Sequence, residues 1–506
     1  MLVDFRPHAR LRGNKPPDIA ASLGPVVEAL SEDSADLDKV RVVCDWVQYK
    51  QNFRELVDLR PILGLAQRHA GTDPAVLPDG GREEEIEIAI DVRRGADPSL
   101  KQRAAALLRD RTVCGSGDRV WLEEFGPGSA SLVWDFNALY WRDLDLWEKS
   151  TGRGYEQALP GGESDARNQD AARGLIGELF AVWDRLAASG ALPEELYVVE
   201  LGVGNGGQAK VFLDELRALD AQHGGGYYRR LHYLMCDYSP HVLDLAREAV
   251  AEHLGHISSF TLDATRPSRS LGFLRQKVFL VYISNVYDNL PSDEVTQLGG
   301  RTYQVQTRAF LPAAEAARLA ELLSVSAPAP VSVEELAALV RKLPRLGPAL
   351  LAEAAPALFA DADAAVTFWR EVWSALRLAE RYVPLTGLDL YELAPSVNGE
   401  MLRPLLESGA DVRMHVNNGA LASFTDSLTL LHPFGKLVCH DLFVTDVQAY
   451  RTNFRGPGKY DGSVVNWVNG PLLAHVGRRK GFEVHYAPFA HRGGGNIITM
   501  TAQVMD

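Results

Sequence analysis

The stretch Leu196–Gly207 constrains the fold of this chain more than any other segment, and it reads L-Y-V-V-E-L-G-V-G-N-G-G. Leu196 to Val199 predict a short buried strand, Glu200 marks its end, and apolar residues at helical spacing follow the turn. The turn contains Gly202, Gly204, Gly206 and Gly207. Such a unit holds a nucleotide in many open α/β sheets, because glycine lets the backbone approach a ligand closely. The spacing also fits the dinucleotide pattern G-x-G-x-x-G, or a tight turn that binds nothing.

Strands and helices alternate around this stretch, which predicts an α/β fold with a parallel sheet and right-handed crossovers. A helix over Ser164–Gly190 leads into the first strand, and a helix over His241–His253 separates the next two. The further strand candidates are Leu231–Cys236, Ser259–Leu262, Val278–Ile283 and Lys436–Asp441. A helix over Gly419–Leu431 precedes the last of them.

The end of the chain departs from the ordinary dinucleotide-binding fold. Two strand-like runs, Phe482–Pro488 and Asn496–Val504, are separated by the short glycine-rich turn His491–Gly495. Parallel strands need a longer connection, so these two must form an antiparallel hairpin. We therefore expect a parallel sheet whose last strand is antiparallel.

Two further regions flank the sheet, so the chain divides into residues 1–150, 151–308, 309–392 and 393–506. Residues 1–150 are expected to form an accessory α+β domain with helices over Ile19–Leu30, Leu37–Leu56 and Ser99–Arg109 and strands over Glu85–Val92, Arg119–Glu124 and Ser131–Phe136. Residues 309–392, rich in Ala, Leu and Glu with several prolines, predict a helical insertion that covers the site as a lid. The other two parts form the sheet.

Bulk properties exclude several classes of protein. A net charge of −14 disfavours non-specific nucleic-acid binding, and no apolar run is long enough to span a membrane. The first residues show no signal-peptide core, and the four cysteines are far apart, so we expect reduced thiols and a cytoplasmic protein. The histidines show no metal-ligand spacing, so no metal site is expected. The composition is typical of a GC-rich bacterial genome, and a homodimer is left open.

The strand ends supply the groups that S-adenosylmethionine requires, in the order that a parallel sheet presents them. Glycines would lie under the methionine part, an acid would bind the ribose hydroxyls, and a polar–apolar cleft would hold the adenine. The candidate cofactor-binding residues are Glu200, Gly202, Gly204, Gly206, Asp237, Asp263, Ala264 and Ser284. Glu200 would repel a pyrophosphate but suits a cation, and Asp237 lies about 30 residues past the glycines rather than the ~20 of NAD-binding proteins.

The order of these motifs resembles the class I, Rossmann-like methyltransferases that use S-adenosylmethionine. It is most similar to the MidA-type family, the bacterial relatives of the mitochondrial complex I assembly arginine methyltransferase. The resemblance rests on Gly177-Glu178-Leu179 with Trp183, then V-E-L-G-x-G-x-G, D-x-S-P, a loop ending D-x-L-P, and Pro457-Gly458 to Asp461. It covers roughly residues 160–300 and 400–506, and it implies S-adenosylmethionine as cofactor and S-adenosylhomocysteine as product.

The loop after the fourth strand departs from the family pattern. Ser284-Asn285 stands where the family usually has Asn-Glu, and an asparagine cannot form the charged bidentate pair that a guanidinium requires. A hydroxyl, amide or amine acceptor is therefore as compatible with the sequence as an arginine. Asp288 and Tyr287 are the first candidates for contact with the acceptor, and His440 and Asp441 are the second.

The sequence thus predicts a methyltransferase that acts on a protein side chain or a polar small molecule. Two alternatives remain. One is a catalytically degenerate methyltransferase fold that serves as an assembly or interaction module, and the other is an NAD-linked oxidoreductase.

Overall fold

The computed structural model describes residues 2–5, 19–32, 37–45, 51–64, 83–94, 97–110, 118–154, 169–325, 329–407, 410–452, 456–491 and 496–505. The elements up to residue 154 are β1 (Leu2–Phe5), α1 (Ile19–Glu32), β2 (Val40–Asp45), β3 (Val57–Leu63), β4 (Glu83–Asp91), α2 (Leu100–Asp110), β5 (Arg119–Trp121), β6 (Gly126–Pro127), α3 (Leu132–Arg142) and α4 (Leu144–Thr151).

From residue 169 helices and strands alternate regularly. The elements are α5 (Gln169–Ala188), β7 (Leu196–Leu201), α6 (Gly207–His223), β8 (Leu231–Asp237), α7 (Pro240–Ala249), β9 (Ile257–Thr261), α8 (Ser268–Leu271) and β10 (Val278–Ser284). A second group follows: β11 (Glu294–Leu298), β12 (Arg301–Pro312), α9 (Ala313–Ser324), α10 (Val333–Ala354), α11 (Ala362–Ala375) and β13 (Arg377–Pro384).

The last part returns to the sheet. Its elements are β14 (Glu392–Ala394), β15 (Val397–Asn398), α12 (Arg403–Leu406), β16 (Val412–His415), α13 (Asn418–Leu428), β17 (Leu431–Asp441), β18 (Phe443–Val444), α14 (Ala449–Thr452), β19 (Gly458–Tyr460), β20 (Ser463–Val465), β21 (Val468–Asn469), α15 (Gly470–Arg479), β22 (Phe482–Pro488) and β23 (Ile498–Val504).

A seven-stranded sheet contains the glycine turn, in the order β22-β23-β17-β10-β7-β8-β9. The five strands from β17 to β9 run parallel, whereas β23 is antiparallel to both β17 and β22. Buried apolar residues of α5, α6 and α7 pack on one face, and those of α13 and α15 pack on the other. The predicted α/β sheet with an antiparallel last strand is therefore confirmed.

A larger sheet of ten strands joins regions that are far apart in sequence. Its order is β1-β2-β4-β3-β13-β12-β11-β16, and β5 and β6 pair with β12. Strands from residues 1–150 thus share one sheet with strands that flank the insertion. The predicted boundary at 308/309 falls inside β12, and within the described part of 309–392 the helices occupy 313–324, 333–354 and 362–375 between strands.

Two predicted elements of the first region are wrong. The helix predicted over Leu37–Leu56 includes strand β2, because β-branched Val40, Val42 and Val43 fill a position between β1 and β4. The strand predicted over Ser131–Phe136 is the start of helix α3, in which seven of eleven residues are buried. A helix buried on most of its surface shows no apolar stripe, so its short apolar run could not be distinguished from a strand.

A buried ion network crosses the ten-stranded sheet. Arg60 on β3 pairs with Glu87 at 2.6 Å and with Glu380 at 2.7 Å, while Arg413 on β16 pairs with Glu294 and, at 2.9 Å, with Glu380. Glu380 on β13 is therefore shared by two arginines from strands on either side of it. The network links strands of the first and last thirds of the chain.

The insertion is fixed to the rest of the molecule at its helix ends. The Lys459 ammonium donates to the carbonyl oxygens of Trp373, Ser374 at 3.1 Å and Leu376 at 2.7 Å, at the end of α11. The Trp373 indole, on α11, donates to the Asp461 carbonyl oxygen at 2.7 Å. The apolar cluster of α3, α9, α10 and α11 also includes Val242 in the first turn of α7, so these helices reach the carboxyl edge of the seven-stranded sheet.

Candidate functional site

The glycine turn after β7 adopts backbone angles that only glycine takes without strain. Gly202, Gly204 and Gly206 have φ values of +75°, +57° and +79°. A Cβ at Gly202 would lie 2.3 Å from Val286 Cγ2, and one at Gly206 would lie 2.7 Å from Ala246 Cα. The turn is therefore packed between the loop after β10 and helix α7.

Asp237, at the end of β8, is bonded to this turn. Its Oδ2 accepts from the Gly204 N–H at 3.2 Å, and its Oδ1 accepts from the Ser239 N–H at 3.0 Å. Burial raises the pKa of this carboxyl to about 6, although the backbone donors oppose the shift. A carboxylate has about four acceptor sites and these two bonds use one on each oxygen, so each oxygen can accept from a further donor.

Glu200 lies beneath the turn rather than at its surface. It is 2% exposed, and its Oε2 accepts from the Tyr233 hydroxyl at 2.6 Å. Burial, with a smaller contribution from the charge of Asp237, raises the pKa of Glu200 to about 8. The sequence pattern did not reveal Tyr233 as its partner, because that pairing depends on the register of β7 and β8.

Asp263 and Ala264 follow β9 at the same edge of the sheet. Asp263 is exposed, and its Oδ1 accepts from both the N–H and the hydroxyl of Thr265 at 2.8 Å.

Four of the predicted positions fall in one row across neighbouring strands. Cys236 pairs with Leu201, Leu201 pairs with Ile283, and Ser284 pairs with His440. Asp237, Gly202, Ser284 and His440 therefore stand side by side at the carboxyl ends of β8, β7, β10 and β17. With strands ~4.8 Å apart, the row spans roughly 14 Å.

The loop after β10 is held from below by Asp441. This carboxylate, fully buried, accepts from the N–H groups of Tyr287 at 2.8 Å, Asp288 at 3.3 Å and Leu442 at 2.7 Å. Tyr287 is itself buried in the core. The structure thus places Asp441 and Tyr287 in the support of the loop.

Asp288 lies in the same buried environment. It is 5% exposed, and its Oδ1 accepts from the Asn289 amide at 2.8 Å. Burial and the neighbouring Asp441 carboxylate raise the pKa of Asp288 well above its ordinary value, and burial raises that of Asp441 to about 6. Two adjacent buried carboxyls of this kind share a proton, because both cannot ionise together.

His440 and Ser284 have a different environment. The His440 Nδ1 lies 2.9 Å from Thr499 Oγ1, and its ring contacts Phe489 and Tyr282 with centroids 4.8 Å and 5.4 Å away. Within the described part of the chain, the buried His440 Nε2 and Ser284 Oγ have no hydrogen-bond partner. Since side chains alternate along a strand, His440 and Asp441 face opposite sides of the sheet.

A set of asparagines that the sequence pattern did not single out fixes the loops around this edge. The Asn137 amide on α3 donates to Asn289 O at 2.8 Å, and its oxygen accepts from the Val464 N–H at 2.8 Å. The Asn466 N–H donates to Asp288 O at 2.9 Å. Asn417 has φ +53° and bonds Trp467 and Asn469 rather than capping α13. The pairs Asn417-Asn418 and Asn466-Trp467 are the sequence signal that could have indicated this network.

The described residues show neither of two further kinds of feature. No group of three or more His, Cys, Asp or Glu side chains there could hold a metal ion. In that same part of the chain, no helix has both the length and the apolarity needed to cross a bilayer.

The strand order and the antiparallel last strand define the sheet of the Rossmann-like methyltransferases. No family model and no curated protein matches the chain. Solved structures from Burkholderia thailandensis are similar in fold. One, a superfamily member described as a candidate methyl transferase and bound to S-adenosyl-homocysteine, has 13% identity and a TM-score of 0.40 over 80% of this chain and 94% of that one.

Two other structures from that organism are also similar. A second protein of the same superfamily has 12% identity and a TM-score of 0.39, over 79% of this chain and 91% of its own. A 1,6-didemethyltoxoflavin-N1-methyltransferase with bound 1,6-didemethyltoxoflavin and S-adenosylhomocysteine has 11% identity and a TM-score of 0.30. The similarity covers 77% of this chain and 100% of that one. The function proposed below rests on the geometry of this chain's own residues.

Proposed function

We propose that the protein binds S-adenosylmethionine at the carboxyl edge of the seven-stranded sheet and transfers its methyl group to a polar acceptor. The observation that carries this proposal is the bond between the Asp237 carboxylate and the Gly204 N–H. It joins the strand-end acid to the glycine turn, so that a ribose and the chain attached to it would be held by neighbouring groups. The order of motifs further supports a MidA-type methyltransferase.

The residues present fit this cofactor. The turn of Gly202, Gly204 and Gly206, which has positive φ at each glycine, would lie under the methionine part. Asp237 keeps lone pairs for the two ribose hydroxyls, and Asp263 and Ala264 border the place for adenine. Burial raises the pKa of Glu200, below the turn, to about 8, so this carboxyl is protonated at neutral pH, and a cation bound above it would favour its ionised form.

Bound S-adenosylmethionine would supply a methyl group on a sulfonium, to which a lone pair of the acceptor would bond as the carbon–sulfur bond breaks and S-adenosylhomocysteine leaves. The chain's own contribution is to position and to exclude water. Val286 closes the turn at Gly202, Asp441 holds the loop after β10, and α3 fixes that loop through Asn137. The acceptor would be a protein side chain or a polar small molecule in the cytoplasm.

Calorimetric titration with S-adenosylhomocysteine tests the cofactor assignment. Charged hydrogen bonds contribute about 1.5–3 kcal/mol, so Asp237→Ala should weaken binding roughly 10- to 100-fold. Asp244→Ala, on the exposed side of α7, is the matched control and should bind as the unchanged protein does. Gly204→Val should abolish binding. Valine is strained at the φ of +57° found here, so the thermal midpoint should fall while the circular dichroism spectrum of the folded protein is retained. Equal affinity in Asp237→Ala and Asp244→Ala would show that the cofactor lies elsewhere.

Two results would replace the proposal. Binding of NAD in place of S-adenosylhomocysteine would make the protein an oxidoreductase. Binding of S-adenosylmethionine without release of S-adenosylhomocysteine, in the presence of a cell extract as acceptor source, would identify a fold that serves assembly rather than catalysis.

A further inference from the structure

The carboxyl edge of the sheet carries two unpartnered polar groups, on His440 and on Ser284, and Ser284 is here reassigned from the predicted cofactor-binding set to the acceptor side. His440 is 4% exposed, and within the described residues neither its Nε2 nor the buried Ser284 Oγ has a hydrogen-bond partner. The two residues are paired in register across β10 and β17, and their side chains lie on the same face. Leaving a buried polar group unsatisfied costs about 1–3 kcal/mol, so a pair of them points to a ligand.

Among the described residues, the side chains in contact with this pair are aromatic or carry a hydroxyl group. Glu200, paired in register with Tyr282, is bonded to the Tyr233 hydroxyl, and burial raises its pKa to about 8, so it is protonated at neutral pH. Phe489 and Tyr282 contact the His440 ring, and Thr499 lies at its Nδ1. Burial, with the nearby His491, lowers the pKa of His440 to about 4, so the ring is neutral at neutral pH. The carboxyl of Asp441, next along the strand, faces the opposite side of the sheet and is engaged with backbone N–H groups.

We infer that Ser284 and His440 form the acceptor subsite of the proposed methyltransferase and that the acceptor is an uncharged hydroxyl, as on a phenol or enol. A hydroxyl donates to His440 Nε2 and accepts from the Ser284 hydroxyl, so it satisfies both groups at once. A guanidinium or ammonium would carry its charge into a site where neither facing group is negative, which is costly without a partner. A planar ring would also pack against Phe489 and Tyr282.

Methyl transfer to the hydroxyl conserves atoms and electrons. The acceptor oxygen forms a bond to the methyl carbon while the carbon–sulfur bond breaks, and that bonding pair remains on sulfur as a thioether. The hydroxyl proton passes to His440 Nε2 and from there to water. This assigns the resting ring proton to Nδ1, where it is donated to Thr499 Oγ1. A weak base suffices, because the hydroxyl becomes strongly acidic as the new oxygen–carbon bond forms.

This inference rests on the proposed function, and the experiment separates the two. Calorimetry first establishes binding of S-adenosylhomocysteine, whose absence would remove the proposed function. The protein, labelled with ring-¹⁵N histidine and saturated with S-adenosylhomocysteine, is then titrated with phenol or with methylguanidine. We expect phenol, and not methylguanidine, to shift the Nε2 resonance of His440, which is assigned by its loss in His440→Phe or, if that variant does not fold, His440→Gln.

The controls come from the same elements of the fold. Ser284→Ala should weaken phenol binding about fivefold and leave S-adenosylhomocysteine binding unchanged. Ser427→Ala, which removes a buried unpartnered hydroxyl on α13, and His432→Phe, at the opposite end of β17, should change neither. A shift with methylguanidine, a shift with neither probe, or loss of S-adenosylhomocysteine affinity in Ser284→Ala would overturn the inference.

The methylated product provides an independent test of which acceptor atom receives the methyl group. With ¹³C-methyl S-adenosylmethionine and a cell extract, the carbon chemical shift of the new methyl group distinguishes an O-methyl from an N-methyl product. An O-methyl product whose formation is lost in His440→Phe and kept in His432→Phe is expected. An N-methyl product would overturn the inference while leaving methyl transfer itself established.

Discussion

At the scale of single residues, carboxyl groups are the clearest departure from what the sequence pattern indicates. The pattern places Glu200 against a ligand, whereas the structure buries it with Tyr233 as its partner. Asp288 and Asp441 likewise lie at the ends of β10 and β17 as expected. The Asp441 carboxylate accepts from the backbone of the loop after β10, and the Asp288 carboxylate accepts from the Asn289 amide within that loop. Spacing along a chain predicts that a residue reaches a sheet edge, but the direction of its side chain depends on packing that spacing does not record.

The burial of Glu200 predicts a pH dependence of stability. Its pKa rises from an ordinary 4.5 to about 8 on folding, so the native state binds the proton more tightly than the unfolded chain. The free energy of unfolding should therefore fall as pH rises through that window, by up to roughly 1.4 kcal/mol per pH unit. Glu200→Gln should flatten the fall in thermal midpoint between about pH 6.5 and about 8. Glu248→Gln, an exposed change on α7, should leave that fall unchanged. An equal slope of thermal midpoint against pH in the unchanged protein and both variants would contradict the raised pKa of Glu200.

At the scale of elements, the strands around the glycine turn and the antiparallel hairpin were predictable because their patterns are local. Predicted Phe482–Pro488 agrees with β22, and predicted Val278–Ile283 differs from β10 by one residue. The helix α3 was missed because it is buried on most sides, and the role of Asn137 was missed because its partners lie 152 and 327 positions away. The accessory role of residues 1–150 and the lid role of the insertion stay predictions.

The loop after β10 should depend on Asp441 far more than on Asp288. Asp441→Ala leaves three backbone N–H groups without an acceptor, which should lower the free energy of unfolding by about 2–4 kcal/mol. Asp288→Asn keeps the shape of a protonated carboxyl beside Asp441, so its cost should stay below about 1 kcal/mol. Urea denaturation of both variants checks this. Comparable losses in the two would mean that Asp288 is ionised in the native protein.

At the scale of the whole molecule, the ten-stranded sheet depends on charges supplied by distant segments. Arg413 holds Glu294 and Glu380, and Arg413→Met would leave both buried carboxylates with less compensation. Breaking a buried pair costs about 3–5 kcal/mol, whereas the exposed pair of Arg403 with Glu400 contributes at most ~1 kcal/mol. Arg403→Met is therefore the control in a comparison of unfolding midpoints. A loss below about 1 kcal/mol in Arg413→Met would show that the network is dispensable.

Glu380, in the same network, responds to acid in the opposite sense to Glu200. Burial alone would raise the pKa of Glu380, but Arg413 and Arg60 hold it well below its ordinary 4.5. The contribution of Glu380 to the free energy of unfolding is present above its ordinary pKa of 4.5 and is lost as the pH falls below that value.

The predicted lid cannot be tested by removing residues 312–385. Such a deletion would also remove β13, which lies between β3 and β12, and so would disrupt the ten-stranded sheet.

The pairing of β3 with β13 has a consequence for how the protein is made. Arg60 contacts Tyr382, which is 322 positions later in the chain. At the usual synthesis rate of about 5–20 residues per second, roughly 15–65 seconds pass between synthesis of β3 and synthesis of its neighbour β13. During that interval the nascent chain presents an open strand edge, and its yield in the cell should depend on chaperones that bind such edges while translation is still under way.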